Sequence, residues 1–88
     1  MKFKEFKTIR NKQKPDMCYM FELVKNSLRY RIFTMNGGFS YLATIEEPTP
    51  THSMPHCHTT IFKTNVYFEF EAIEQFKNFK QKLNKNGI

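Results

Sequence analysis

The stretch CYMFELVKNSLRYRIFTMNGGFSYLATIE, Cys18 to Glu46, decides the fold. It reads as three consecutive antiparallel strands joined by tight turns at Asn26-Ser27 and at Asn36-Gly37-Gly38. A two-residue loop at Asn26-Ser27 makes Lys25 face Leu28, Leu23 face Tyr30 and Phe21 face Ile32. The other side then pairs Val24 with Arg29, Glu22 with Arg31 and Met20 with Phe33. A slip of one residue would turn the wrong set toward the core, and the opposed Glu22 and Arg31 favour this register. At the second turn, Asn-Gly-Gly suits a type I′ hairpin, which needs positive φ at both central residues. A loop at Asn36-Gly37 sets Ile32 against Tyr41; one at Gly37-Gly38 sets Ile32 against Ala43. Either choice gives one apolar face, Phe21, Leu23, Leu28, Tyr30, Ile32, Phe39, Tyr41, Ala43 and Ile45. The opposite face mixes Glu22, Arg29, Arg31, Phe33, Ser40, Leu42 and Thr44. The first is the expected core face.

Outward from this meander, the segment EEPTPTHSMPHCHTT (46–60) reads as a long loop, because Pro48, Pro50 and Pro55 break regular structure. IFKTNVYFEF (61–70) alternates as a fourth strand, with Phe62, Val66, Phe68 and Phe70 inward and Lys63, Asn65, Tyr67 and Glu69 outward. Glu71 to Lys85 reads as a helix whose stripe of Ala72, Phe76, Phe79 and Leu83, with Ile73 at its margin, matches the aromatic sheet face. Acidic residues at its start and lysines toward its end suit the helix dipole. The expected fold is α+β: a four-stranded antiparallel sheet, a three-strand meander plus one strand, with a C-terminal helix packed on one face and a basic N-terminal arm. Residues 1–15 form that arm or a short helix, on the three-residue spacing of Phe3, Phe6 and Ile9. Residues 16–88 form a single domain.

Eighty-eight residues allow one small core, and ten Phe with four Tyr are its obvious filling. The net charge is +6. Its distribution says more, since Met1 to Pro15 holds six Lys/Arg against Glu5 alone. Such an arm points to a polyanion or an acidic protein surface as partner, or else to a solvated tail. The start lacks the apolar region of a signal peptide, and no apolar run is long enough to span a membrane. Free thiols in a reducing cytoplasm are expected for Cys18 and Cys57.

Catalytic and metal readings are thin. His52, His56, Cys57 and His58 are the metal candidates, and His52 and His56 have a zinc-like spacing. Three adjacent ligands cannot easily converge on one ion, however, so no metal or other cofactor is expected. His58-Thr59-Thr60 matches half of a two-histidine phosphoesterase pattern, but the second half fails at Met54. Without a positioned partner for Cys57 or His58, no catalytic residues are assigned and the chain is read as a non-enzyme.

Nucleic-acid binding has more pieces. Lys2, Lys4, Lys7, Arg10, Lys12 and Lys14 are placed to contact phosphates, with Phe3 and Phe6 interleaved. Arg29, Arg31, Lys63 and Tyr67 extend that surface on the non-core side of their strands. Basic groups along a backbone with aromatic faces under bases are how single-stranded RNA is held. The alternatives are a protein–protein inhibitor using Phe33 and Leu42 without nucleic acid, and a small metal-binding protein using the His/Cys loop.

A short Lys-, Phe- and Asn-rich chain opening MKFKEFK, with a basic arm before a sheet-and-helix body, resembles the small accessory proteins of T-even-type bacteriophages. Within that group it is similar in size and charge to the phage inhibitors of the ToxN endoribonuclease toxin. The resemblance implies inhibition of a host RNA-cleaving toxin, with RNA between the two proteins, and assigns no residue a role. The expected partners are therefore RNA and a host endoribonuclease toxin, in a complex that can be oligomeric, with no membrane partner.

Overall fold

The computed structural model describes residues 1–10, 19–35 and 38–86, apart from the side chains of 10, 19 and 81–86. A 3-10 turn at Phe3–Glu5 leads into β1 (Lys7–Arg10), β2 (Tyr19–Lys25), β3 (Leu28–Met35), β4 (Ser40–Pro48), β5 (His58–Val66) and α1 (Glu69–Asn86). The sheet is an antiparallel meander in chain order, β1-β2-β3-β4-β5. It has five strands, not four, and the strand expected fourth pairs beside the third of the Cys18–Glu46 stretch.

The added strand comes from the residues read as an arm or short helix. Spacing of three suggested a helical side, but four residues of β1 pair with β2, from Lys7 opposite Glu22 to Arg10 opposite Tyr19. A helix this short gains little by itself in water, whereas a strand docked on β2 satisfies its backbone and lets Phe6 enter the core. Alternation then splits the expected stripe. Phe6 is buried while Ile9 lies on the opposite, exposed side.

The first hairpin has the register expected from its loop, with Met20 opposite Phe33 and Lys25 opposite Leu28. Asn26 and Ser27 both have positive φ, 54° and 68°, the backbone a type I′ turn demands. In the second hairpin Ile32 faces Ala43 and Tyr30 faces Ile45. That is the Gly37-Gly38 alternative, although pairing stops at Met35 and Ser40, so the connection spans 36–39. Gly38 carries φ of 99° there, and residues 36–37 lie outside the described part.

The loop expected over 46–60 is shorter. β4 continues to Pro48, which pairs only with His58 because β3 has already turned away. The missing proline N–H therefore costs no ladder bond on that side. What remains, 49–57, is tied by Thr49 N–H to the Cys57 carbonyl (2.9 Å) and by reciprocal bonds between Thr51 and Met54. A register shift between Ile45 and Glu46 adds a bulge against β5.

The helix covers one face. Phe76, Ala72 and Ile73 bury against Tyr30, Ile32, Ala43, Ile45 and Val66. Phe76 meets Tyr30 edge-on at 5.2 Å and stacks with Phe6 at 6.2 Å, while Phe79 packs on Phe62 at 5.1 Å. Leu83, expected in the same stripe, has its side chain outside the described part.

Three residues assigned to the core lie outside it: Phe39, Phe68 and Phe70 are 83%, 59% and 64% exposed. Phe39 falls in the β3–β4 connection, beyond the paired residues. The other two leave because β5 ends at Val66 and the helix begins two residues early. Glu71 explains the early start. Its carboxylate accepts the Phe68 N–H at 3.0 Å while its own N–H donates to the Phe68 carbonyl at 3.1 Å. That is the glutamate half of a capping box, with Phe68 at the N-cap. Among the described residues no helix is long and apolar enough to cross a membrane.

Candidate nucleic-acid interface

The sheet face opposite α1 is covered by no described element, and strand pairing orders its side chains into rows. One row runs Ile9, Met20, Phe33, Leu42, Asn65; the next runs Lys7, Glu22, Arg31, Thr44, Lys63. A third carries Val24, Arg29, Glu46 and, past the bulge, Thr60. The first row is apolar except at Asn65, and the second has cations at both rims.

The centre of this face is electrically closed. Arg31 Nε donates to Glu22 at 2.7 Å and lies 3.6 Å from Glu46, whose same oxygen accepts from Arg29 Nε at 2.7 Å. The four side chains are only 15–23% exposed, so their charge-assisted bonds are better shielded than those of surface pairs, which contribute about 0–1 kcal/mol each. Arg29 and Arg31 are thus held by carboxylates, two cations against two anions. Between Arg31 and Lys63 the Thr44 hydroxyl is buried without a hydrogen-bond partner among the described residues.

The unpaired charge sits elsewhere. Lys7 on β1 and Lys63 on β5 are exposed and have no ion-pair partner among the described residues. Four strand spacings of about 4.8 Å put them roughly 19 Å apart. Lys2 precedes the 3-10 turn and Lys4 lies within it; the Lys2 backbone N–H donates to the Glu5 carboxylate at 2.9 Å, and both lysines are exposed. Arg10 closes β1, with its side chain outside the described part, as are Lys12 and Lys14. The expected cations whose side chains are described therefore do not form one patch. They occupy the rims of the sheet and the turn beside the helix.

Tyr67, expected on the open face, is 73% exposed but lies past the end of β5, in the bend before α1. It separates two hollows. One, of about 650 Å³, is lined by Lys2, Phe68, Phe70 and Lys77 among others. The second, of about 380 Å³, is lined by Met35, Phe39, Ser40, Asn65 and Val66. Tyr41 reaches the first hollow and donates its hydroxyl to Glu69 at 3.2 Å. Burial raises the Tyr41 pKa, and the Glu69 charge and hydrogen bond raise it further.

In the His/Cys loop, His52 and His56 are exposed, and Cys57 and His58 are half-buried. His58 Nδ1 lies 3.0 Å from the His56 carbonyl, committing that nitrogen to the backbone. Among the described residues no three His, Cys, Asp or Glu side chains converge on a possible metal position.

No family of known proteins, no curated protein and no solved structure matches this chain.

Sequence reasoning missed Glu46 and the exposed ring cluster. Glu46 was legible, since one of the two weighed registers puts it opposite Arg29. Of the rings, Tyr67 was expected outward; Phe68 and Phe70 were not, because their exposure follows from where β5 ends, and Phe39 is exposed because it falls in the β3–β4 connection.

Proposed function

We propose that this chain is a small non-enzymatic RNA- and protein-binding module, an antitoxin-like inhibitor, phage-encoded, of a host RNA-cleaving toxin. The observation that carries the RNA part is the set of exposed lysines without carboxylate partners among the described residues, Lys7 and Lys63 at the rims of an uncovered sheet face and Lys2 and Lys4 at the 3-10 turn. Cations already paired would have to give up their carboxylates to hold phosphates; these need give up only water and counterions. The toxin part rests on the likeness of layout and composition to phage inhibitors of that class.

The test is binding of labelled RNA to the purified chain across a salt series. Four phosphate contacts predict a slope of log affinity against log salt of about −3 for a single strand. Deleting residues 1–14 would be a poor probe, since it removes Phe6 from the core along with the charge. Lys4→Gln and Lys7→Gln keep the fold and should each flatten the slope by a little under one. Binding that ignores salt, or a slope unmoved by these changes, overturns the RNA reading. In a toxin cleavage assay the unsubstituted chain should suppress RNA cutting, and the lysine variants should suppress it less.

A second reading, direct protein–protein inhibition, is favoured by the apolar row Ile9, Met20, Phe33 and Leu42 on the same uncovered face. Nuclease treatment before co-purification separates the two. A toxin complex bridged by RNA weakens, and one built on the apolar row survives.

A further inference from the structure

Four aromatic rings gather at the end of the sheet where β3 and β4 connect and where β5 passes into α1. Phe39, Tyr67, Phe68 and Phe70 are each more than half exposed, an arrangement that costs solvation and is uncommon for so small a chain. Phe68 and Phe70 lie nearly parallel, 5.5 Å between centroids and 15° between planes. Tyr67 stands between the two hollows and lines both, with Phe68 and Phe70 in the larger and Phe39 in the smaller. Both volumes, about 650 and 380 Å³, fall within the range of about 300–1,000 Å³ of small-molecule sites.

The charges at this end point to the occupant. Exposed Lys2 and Lys77 line the larger hollow, and neither has a carboxylate partner among the described residues. Of the two acids there, Glu69 is held by the Tyr41 hydroxyl, and Glu74 stands exposed on α1. A second copy of the chain would set Lys2 and Lys77 against their own counterparts on a molecule of net charge +6. A polyanion with flat apolar faces meets both features at once.

We propose that Phe39, Tyr67, Phe68 and Phe70 form a stacking platform for the unpaired bases of a single RNA strand, with Lys2 and Lys77 on its phosphates. This rests on the RNA-binding reading and makes it narrower, since only unstacked bases can enter. Aromatic rings hold bases of any identity, and Arg or Lys nearby adds charge without reading sequence. Asn65, in the smaller hollow, offers an amide to a base edge. The platform therefore binds single strands with weak sequence preference.

The test uses the full chain and a fluorescein-labelled oligouridine of about a dozen nucleotides, against a duplex of the same length. Tyr67→Leu, Phe68→Leu and Phe70→Leu keep the apolar surface and remove the ring; unchanged melting midpoints establish that each variant folds. Each should weaken single-strand binding by about tenfold, leaving the salt slope unchanged, because stacking releases no counterions. Lys2→Gln and Lys77→Gln should weaken binding too, but by flattening the slope. The unsubstituted chain should prefer the single strand to the duplex. Equal binding of strand and duplex, or ring variants that bind the strand as tightly as before, overturns the platform. So do ring variants that keep their RNA affinity and lose a protein partner, which would make the site a protein dock. Failure of the unsubstituted chain to bind either oligonucleotide overturns the RNA reading itself, and no variant is needed to see it.

Discussion

Phe6→Ala tests whether the N-terminal segment is part of the folded body. Phe6 is 8% exposed, stacks between Phe3 and Phe76 at 6.1 and 6.2 Å, and precedes the edge strand β1. A buried aromatic side chain removes about 150–250 Å² from water, an upper limit of about 4–6 kcal/mol at 25 cal/mol per Å². Compactness of the unfolded chain lowers that figure, and an edge position lets neighbours relax into the gap. The expected loss is about 3 kcal/mol. In a domain this small each kcal/mol moves the melting midpoint by about 4–8 °C, so the variant should melt roughly 12–24 °C lower. Urea unfolding gives the free energy, and circular dichroism the midpoint. Limited proteolysis in parallel reports whether residues 1–10 are protected. A loss below about 1 kcal/mol, with the N-terminus clipped while the body survives, would show a detachable arm and refute the reasoning. Lys7→Gln is the control: its side chain is exposed, so stability should hold within about 0.5 kcal/mol.

Ser27→Gly should stabilise the chain by about 0.5 kcal/mol in urea unfolding, because φ of 68° strains a residue with a side chain more than the added unfolded-state freedom of glycine costs. Thr44→Val should gain about 1 kcal/mol by the same measurement, since it replaces a buried hydroxyl that has no partner among the described residues with a methyl of the same shape. Tyr30 and Tyr41 both have their pKa raised above 10.0, Tyr30 by burial and Tyr41 by burial and by Glu69. The folded state thus favours the protonated phenols; the stability this gives is intact below pH 10 and falls as pH rises through the folded-state values, visible in urea midpoints taken between neutral pH and about 11. Glu46→Gln should cost about 1 kcal/mol and, by freeing Arg29 while Arg31 stays on Glu22, steepen the RNA salt slope by a little under one.

Much of the sheet was legible because turn chemistry and side-chain alternation agree. The Asn26-Ser27 loop and the Glu22–Arg31 pair both specify the observed register, and the second hairpin takes one of the two registers open to it. The helix stripe was legible for the same reason, as Ala72, Phe76 and Phe79 repeat at helical spacing over the aromatic face. The fifth strand was not. KFKEFKTIR carries a spacing of three that fits a helix as well as a turn followed by a strand, and only β2's free edge decides between them. Phe68 and Phe70 misled for a related reason. They continue the alternation of β5 past its end, and the local signal that stops the strand, Glu71 reaching back to Phe68, is a side-chain bond rather than a pattern. At the candidate site, composition revealed the excess of cations but not their pairing, so it could not separate Arg29 and Arg31 from Lys7 and Lys63.

That separation shapes how the open face can work. From the ring-bearing end, the rows pass from Met35 through the apolar set of Phe33 and Leu42 to the neutralised Glu22, Arg31, Glu46 and Arg29. Among the described residues of this face, free charge lies at the rims, at Lys7 and Lys63. A duplex laid over the middle of the sheet would meet two carboxylates as readily as two guanidinium groups and gain little net attraction there. A single strand can follow a rim instead, keeping its phosphates on lysines and turning its bases toward apolar surface. On the β5 side that path runs from Lys63 past Asn65 to Tyr67, that is, from the free cation to the rings without crossing the ion-paired centre. On the RNA reading proposed above, the carboxylates that remove Arg29 and Arg31 from phosphate contact would give the surface a direction and a preference for strands over duplexes before any base is read.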